Sequence, residues 1–274
     1  MITINPFIEL SALIPPIAMQ VYIIAMFLLV LGGTLLDTYH KKSAKYFFEN
    51  SKKAKKVATR QVGGGEKASI AIKTATNEVL TSAEFSNPKR RISHLFTMYG
   101  FITFVVTTAL MVFNYPTAEI ATPVILPILW HIGALMLCFG GYWFWFFIRV
   151  DVSAEANPWY RLVRADMFIV SLLTTATFAL IWSLLQSIGT GWSMLALVLF
   201  ISSSTFLFST ILWSKFSHMF FKPAAAFQKR VTKADGSREN LPEITDKTRD
   251  SLIELKDAPL DMGLGIKREA PHHY

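Results

Sequence analysis

Long apolar runs, separated by one long polar segment at residues 37–91 and otherwise by short polar breaks, occupy the chain as far as Phe221. Lys and Arg are absent from Met1 to His40, from Ile92 to Ile148 and from Ala165 to Ser214. An uncharged apolar stretch of about 20 residues suffices to cross a bilayer as a helix. The pattern predicts five such spans: Leu13–Leu36, His94–Phe113, Pro123–Ile148, Met167–Leu185 and Trp192–Phe216. The expected fold is therefore an all-α, integral membrane five-helix bundle, with residues 1–221 as its membrane domain. The first run does not read as a cleaved signal, because no Lys or Arg precedes it and it is long. Pro15 and Pro16 suit the entry of a helix.

Two polar segments interrupt or follow the bundle. The first, residues 37–91, predicts an amphipathic helix over Lys45–Arg60, with Tyr46, Phe47 and Phe48 as anchors and five lysines toward lipid headgroups. A second short helix is expected over Glu66–Glu84, beyond the glycines at 63–65. This loop is either a lipid-facing filler or part of a docking surface for a soluble partner. The second polar segment, residues 222–274, has ten basic and nine acidic residues, broken by Pro242, Pro259 and Pro271. It is too poor in apolar residues for its own core, and suits wrapping around a partner subunit. Pro223 reads as the stop of the helix before it.

Composition agrees with the membrane class: 52% of residues are hydrophobic and 17% charged. The net charge of +8 gains its meaning from its distribution. Thirteen of the 27 cations lie in the loop Asp37–Arg91 and ten in the tail, the other four being Arg149, Arg161, Arg164 and Lys215. All fall on one side of a five-span topology. The positive-inside rule then puts the N-terminus outside and the C-terminus in the cytoplasm, as expected for a multi-pass protein of the bacterial inner membrane. The charge is an orientation and headgroup signal, not a nucleic-acid footprint. The lone Cys138 excludes an internal disulfide and a thiolate-held iron–sulfur cluster, and reads as packing. The aromatic run Tyr142–Phe147 resembles an interfacial belt, though it could also wall a flat ligand.

Three histidines invite chemistry. His94 enters the second span, and His218 leaves the fifth, within a turn or two of the same basic boundary. Two imidazoles at one depth on different helices can take both axial positions of a haem iron. Arg90, Arg91, Arg161, Arg164, Lys215 and Lys222 are then available for the propionates, and Gly100 would leave room for the macrocycle if it faced the same way. The plainer alternative is two interfacial histidines bonded to headgroups or serines. His131 lies toward the opposite side with no histidine at its depth, which favours a structural or quinone-contacting role.

The five-span layout, with one histidine at the inner start of span two and another at the inner end of span five, resembles the gamma subunit of respiratory nitrate reductase. More specifically, Arg90-Arg91-Ile92-Ser93-His94-Leu95-Phe96 and Lys215-Phe216-Ser217-His218-Met219-Phe220-Phe221-Lys222-Pro223 resemble the haem-binding ends of the membrane anchor associated with dissimilatory adenylylsulfate reductase. They are also similar to the membrane subunit of the quinone-interacting oxidoreductase that replaces it. The gamma-like part spans roughly residues 10–222, and Ala224–Arg238 favours the anchor family. The resemblance implies a haem b electron-transfer subunit, with His94 and His218 as iron ligands, a cytoplasmic flavin and iron–sulfur reductase as partner, and quinone as redox partner. Two-haem members carry further histidines where this chain has about Phe104 and Phe200, so one haem is expected. A gamma-like subunit of another oxidoreductase, a haem-free anchor and a small transporter are the competing expectations. Against the last, no span carries a charge near its centre.

Overall fold

The computed structural model describes residues 2–40, 43–83, 85, 87–151, 156–210 and 218–237. Every regular element among them is helical. Five helices are long and apolar enough to cross a membrane: Pro16–Asp37, Pro88–Asn114, Ile125–Ile148, Met167–Ile188 and Trp192–Ser209. They match the five expected spans, with ends shifted by a few residues. The second starts earlier, at Pro88, and the fifth is described as far as Ser209, its expected end at Phe216 lying outside the described residues. Thr210 follows it out of helical geometry, and its hydroxyl bonds back to Phe206 O. Residues 211–217 lie outside the described residues.

The chain forms two compact units. Met1–Lys41 and Pro88–Met219 make one, and Lys42–Asn87 and Phe220–Tyr274 the other. The expected division at residue 221 had left the 37–91 loop in the membrane domain, whereas nearly all of it groups with the segment from Phe220.

In the first unit a short helix, α1 (Pro6–Leu10), precedes the spans and was not anticipated. Asn5 caps it, accepting from the Phe7 amide at 3.0 Å, with Pro6 in the first turn. The Asn5 amide also donates to Tyr115 O and Thr122 Oγ1, and Gln186 donates to Pro6 O. These bonds hold Phe7 between the rings of Trp130 and Trp182. The first span, α2 (Pro16–His40), starts at the second of the paired prolines. It is the least covered of the five, and Tyr22 anchors it by hydroxyl contacts with Ile201 O, Ser204 and Thr205.

Helices α5 (Pro88–Asn114) and α6 (Ile125–Trp143) approach to backbone contact. A Cβ on Gly100 would stand 2.8 Å from Gly133 O and Leu137 N, and one on Gly140 would stand 2.6 Å from Ser93 O. Small residues permit such approach where lipid gives no hydrophobic drive between helices. Gly100 therefore makes room for α6. It does not open space for a macrocycle beside His94, because it lies a third of a turn away from it on α5. Helices α7 (Met167–Ile188) and α8 (Trp192–Ser209) complete the bundle.

The connection from α6 to α7 is organised by Arg149, which is fully buried. α6 runs into a wider turn over Phe144–Ile148. The Arg149 guanidinium then reaches Asp166 twice, at 3.1 and 2.5 Å. It also donates to Asn157 O, Pro158 O and Arg161 O, and lies over the Trp145 ring. Counted in the sequence as one more orientation charge, Arg149 is the staple of this loop.

The second unit contains α3 (Ser43–Lys56), α4 (Gly64–Thr74), which continues as a wider turn over Ala75–Leu80, and α9 (His218–Ala234) from Phe220 onward. Phe48 is exposed and Phe47 half-buried on α3; Tyr46's side chain lies outside the described residues. The tail continues as helix to Ala234. Pro223 sits inside α9 and does not stop it. A proline inside a helix removes one backbone donor and crowds the carbonyl four residues back. The C-terminus of α9 is closed by the loop after α3. Thr59 N and Arg60 N donate to Asp235 O, and Arg60 Nε to Ala234 O at 2.6 Å. A cation at a helix C-terminus is favourable. The same guanidinium grips Glu66 on α4 at 2.9 and 2.5 Å.

Two outcomes follow from these pairs. Arg149→Met strands a buried Asp166 and is expected to destabilise the bundle by about 3–5 kcal/mol. Arg149→Lys rescues little, since one ammonium cannot replace the guanidinium fork; thermal unfolding in detergent reads both. In the second unit, hydrogen bonding to Arg60 holds Glu66 below its ordinary value of 4.5. A carboxylate lowered on folding stabilises above its unfolded value, and that contribution is lost as pH falls through the folded one. The pair is exposed and so contributes modestly. Amide exchange in α4, corrected for intrinsic rate, should therefore quicken on acidification below that value in the wild type. Glu66→Gln should already be loosened at neutral pH and show no such step.

Candidate functional site

The rotation of α5 decides where His94 points. Ser93 is buried and donates to Gly140 O at 2.7 Å, and Thr97, Gly100 and Phe104 continue that stripe toward α6. His94 is one residue on, about 100° around the helix. Seven residues further, within about 20° of the same stripe and about 10 Å along the axis, is Phe101. Its ring lies 6.4 Å from that of Phe208 on α8. The half-buried His94 thus shares the face of α5 on which Phe101 reaches α8. Arg90 and Arg91 stand in the turn before it and are also half-buried.

The other expected site residues are distributed differently. His218 lies in α9 and its side chain lies outside the described residues, as do residues 211–217 between it and α8. Lys215 also falls outside them. Arg161 and Arg164 are exposed on the connection from α6 to α7, Arg164 opening the single turn Arg164–Asp166. Lys222 belongs to the second unit, where its ammonium lies 5.4 Å from the centre of the Phe85 ring. Arg90, Arg91 and His94 are therefore the candidates that the described structure brings together.

The opposite half of the α5–α8 contact is filled. Phe104 and Phe200 meet edge to face at 6.2 Å, Trp182 stacks on Phe200, and Trp130 lies against Phe104. All four rings are buried, and Trp130 Nε1 donates to Thr108 Oγ1 at 2.8 Å. The two phenylalanines that stand where further histidines were considered are core, and a flat macrocycle does not fit between them.

His131 is committed elsewhere. Its Nδ1 lies 2.7 Å from Pro127 O, and its Nε2 lies 2.8 Å from Ser183 Oγ. A carbonyl can only accept, so Nδ1 carries the proton and Nε2 accepts from the serine. No lone pair is left to hold iron. Among the described residues, no cluster of three or more His, Cys, Asp or Glu is arranged to hold a metal ion.

The aromatic run after Gly141 divides. Phe146 and Phe147 are exposed, as a lipid-facing belt would be, while Trp145 is buried beneath Arg149. The indole N–H of Trp143 is buried and meets no acceptor among the described residues. Cys138 packs with its sulfur 3.7 Å from Thr177 Oγ1. A groove of about 440 Å3 lies between α7 and α8, lined by residues such as Val170, Leu199 and Phe206. The hydroxyls of Ser171, Thr174 and Ser203 bond back to their own helices, so the groove is largely apolar.

Comparison with protein-family models, curated proteins and solved structures finds no match.

Replacing His131 tests its structural role. His131→Leu takes its buried side-chain partner from Ser183, while Pro127 O keeps the helical bond from the amide of residue 131, and is expected to cost about 1–2 kcal/mol, read as a lower melting temperature in detergent. Ser183→Ala strands one nitrogen only and should cost less.

Proposed function

We propose that this chain is a haem b-containing membrane anchor that holds a cytoplasmic flavin and iron–sulfur oxidoreductase on the bilayer. It passes electrons between that partner and the quinone pool. The observation that carries this reading is the position of His94: half-buried, behind Arg90 and Arg91, on the face of α5 on which Phe101 reaches α8. The closed aromatic packing at Phe104 and Phe200 supports a single haem at the basic end.

On this reading His94 and His218 ligate the iron, while Arg90, Arg91, Arg161, Arg164, Lys215 and Lys222 neutralise the propionates. A haem so held supplies one-electron transfer, and the chain sets its position and redox environment. On this reading the N-terminus is outside and the C-terminus in the cytoplasm, across the bacterial inner membrane, an orientation that the segregation of the cations in the sequence supports. The resemblance of the two histidine-bearing segments makes dissimilatory adenylylsulfate reductase the proposed partner. Sulfur chemistry then belongs to that partner's cofactors.

The reduced-minus-oxidised spectrum of the purified chain tests the proposal directly. A b-type α-band with one haem per chain is expected, lost in His94→Ala and in His218→Ala and kept in His131→Leu. A spectrum without the band, or two haems per chain, would overturn it. Identification of the subunits that copurify from native membranes tests the partner: flavin and iron–sulfur subunits are expected.

A further inference from the structure

The second unit holds a cavity of about 460 Å3 between α3, the loop after it and α9. Its lining is of two kinds. Val62, Phe227 and Val231 supply apolar surface, with Val62 buried and the other two half-buried. Lys55, Arg60 and Lys67 supply three cations against the single carboxylate of Asp235. Arg60 is already spent, clamped on Glu66 and on Ala234 O. The Asp235 carboxylate accepts from the Ser237 amide. Among the described residues, Lys55 and Lys67 have no ion-pair partner, and both are exposed at the cavity.

A cavity with an apolar wall and two uncommitted ammonium groups selects an amphiphilic anion. A simple inorganic ion would leave the apolar wall wet, and a neutral apolar molecule would leave both amines unused. A phosphate ester satisfies both, its oxygens accepting charge-assisted bonds from the lysines while its body covers Phe227 and Val231. The amides of Gln61 and Gln228 also line the cavity and can meet the polar edge of such a body. We propose that this cavity is a binding site for a phosphate ester with an apolar body, either an anionic phospholipid or a nucleotide. The site is independent of the haem proposal, because none of its residues takes part in it.

The test uses the full chain in phosphatidylcholine nanodiscs, with calorimetric binding of three probes. These are dihexanoyl phosphatidylglycerol, guanosine monophosphate and inorganic phosphate. At least one ester should bind, more tightly than inorganic phosphate and more weakly as salt is raised. The ester that binds identifies the source as lipid or soluble nucleotide. The double variant Lys55→Gln/Lys67→Gln should weaken binding about tenfold or more. Lys52→Gln/Lys53→Gln makes the same charge change on exposed positions of α3 outside the cavity and should leave binding nearly unchanged. The proposal is overturned if neither ester binds, if inorganic phosphate binds as well as the esters, or if both double variants weaken binding equally.

Discussion

The backbone contact between α5 and α6 governs the first unit. Gly100, Gly133 and Gly140 let the two helices touch without side chains between them, and the Ser93 hydroxyl on Gly140 O fixes the rotation. Once the stripe Ser93–Thr97–Gly100–Phe104 lies toward α6, helical geometry puts His94 on the neighbouring face of α5 that also carries Phe101. A larger residue at Gly100 or Gly140 would meet backbone atoms, which cannot yield as a flexible side chain can. It would have to part or turn the helices, and so move His94 as well as cost packing energy. The orientation of the candidate ligand thus rests on positions that carry no chemistry of their own.

The α5–α8 contact is asymmetric along its length. At one end, five rings from α1, α5, α6, α7 and α8 form a continuous cluster through Phe7, Phe104, Trp130, Trp182 and Phe200. Aromatic pairs in edge or offset geometry add to the area they bury, and Asn5 and Gln186 pin α1 so that Phe7 stays inserted. His131 lies against Trp130 with both nitrogens bonded, adding polar satisfaction to the same plug. At the other end stand the arginines and His94. The bundle is filled with packed rings at one end and carries Arg90, Arg91 and His94 at the other.

The five spans were legible because bilayer thickness imposes length and apolarity on a helix, and both can be read residue by residue. Rotations about the helix axes were not legible. Gly100 was read as room beside His94, but its face depends on contacts with Gly133 and Leu137 that no local pattern encodes. The helix α1 was hidden by its brevity, although Asn5-Pro6 is a capping signal that could have marked it. Arg149 looked like one more orientation charge because its partner, Asp166, is 17 residues away across a loop. The helical continuation past Pro223 was missed because proline was read as a stop. The gain comes from the far end of α9, where Thr59 and Arg60 close the C-terminus through contacts distant in sequence.

Those last two cases change how the net positive charge is understood. The sequence pattern treats the cations as one orientation signal, but individual members of the set have separate work. Arg149 organises a loop with no exposure to solvent. Arg60 ties two helices of the second unit through Glu66 and Ala234 O. Lys222 lies over Phe85, so a role toward a propionate would have to compete with that ring contact. Arg90 and Arg91 share the first turns of α5 with His94. A segregated charge pattern therefore sets which side the groups face, while burial and partners decide which of them remain to meet an anion. By that criterion Lys55 and Lys67 stand apart from Arg60 in the same cavity, because the arginine is already bound and the lysines are not.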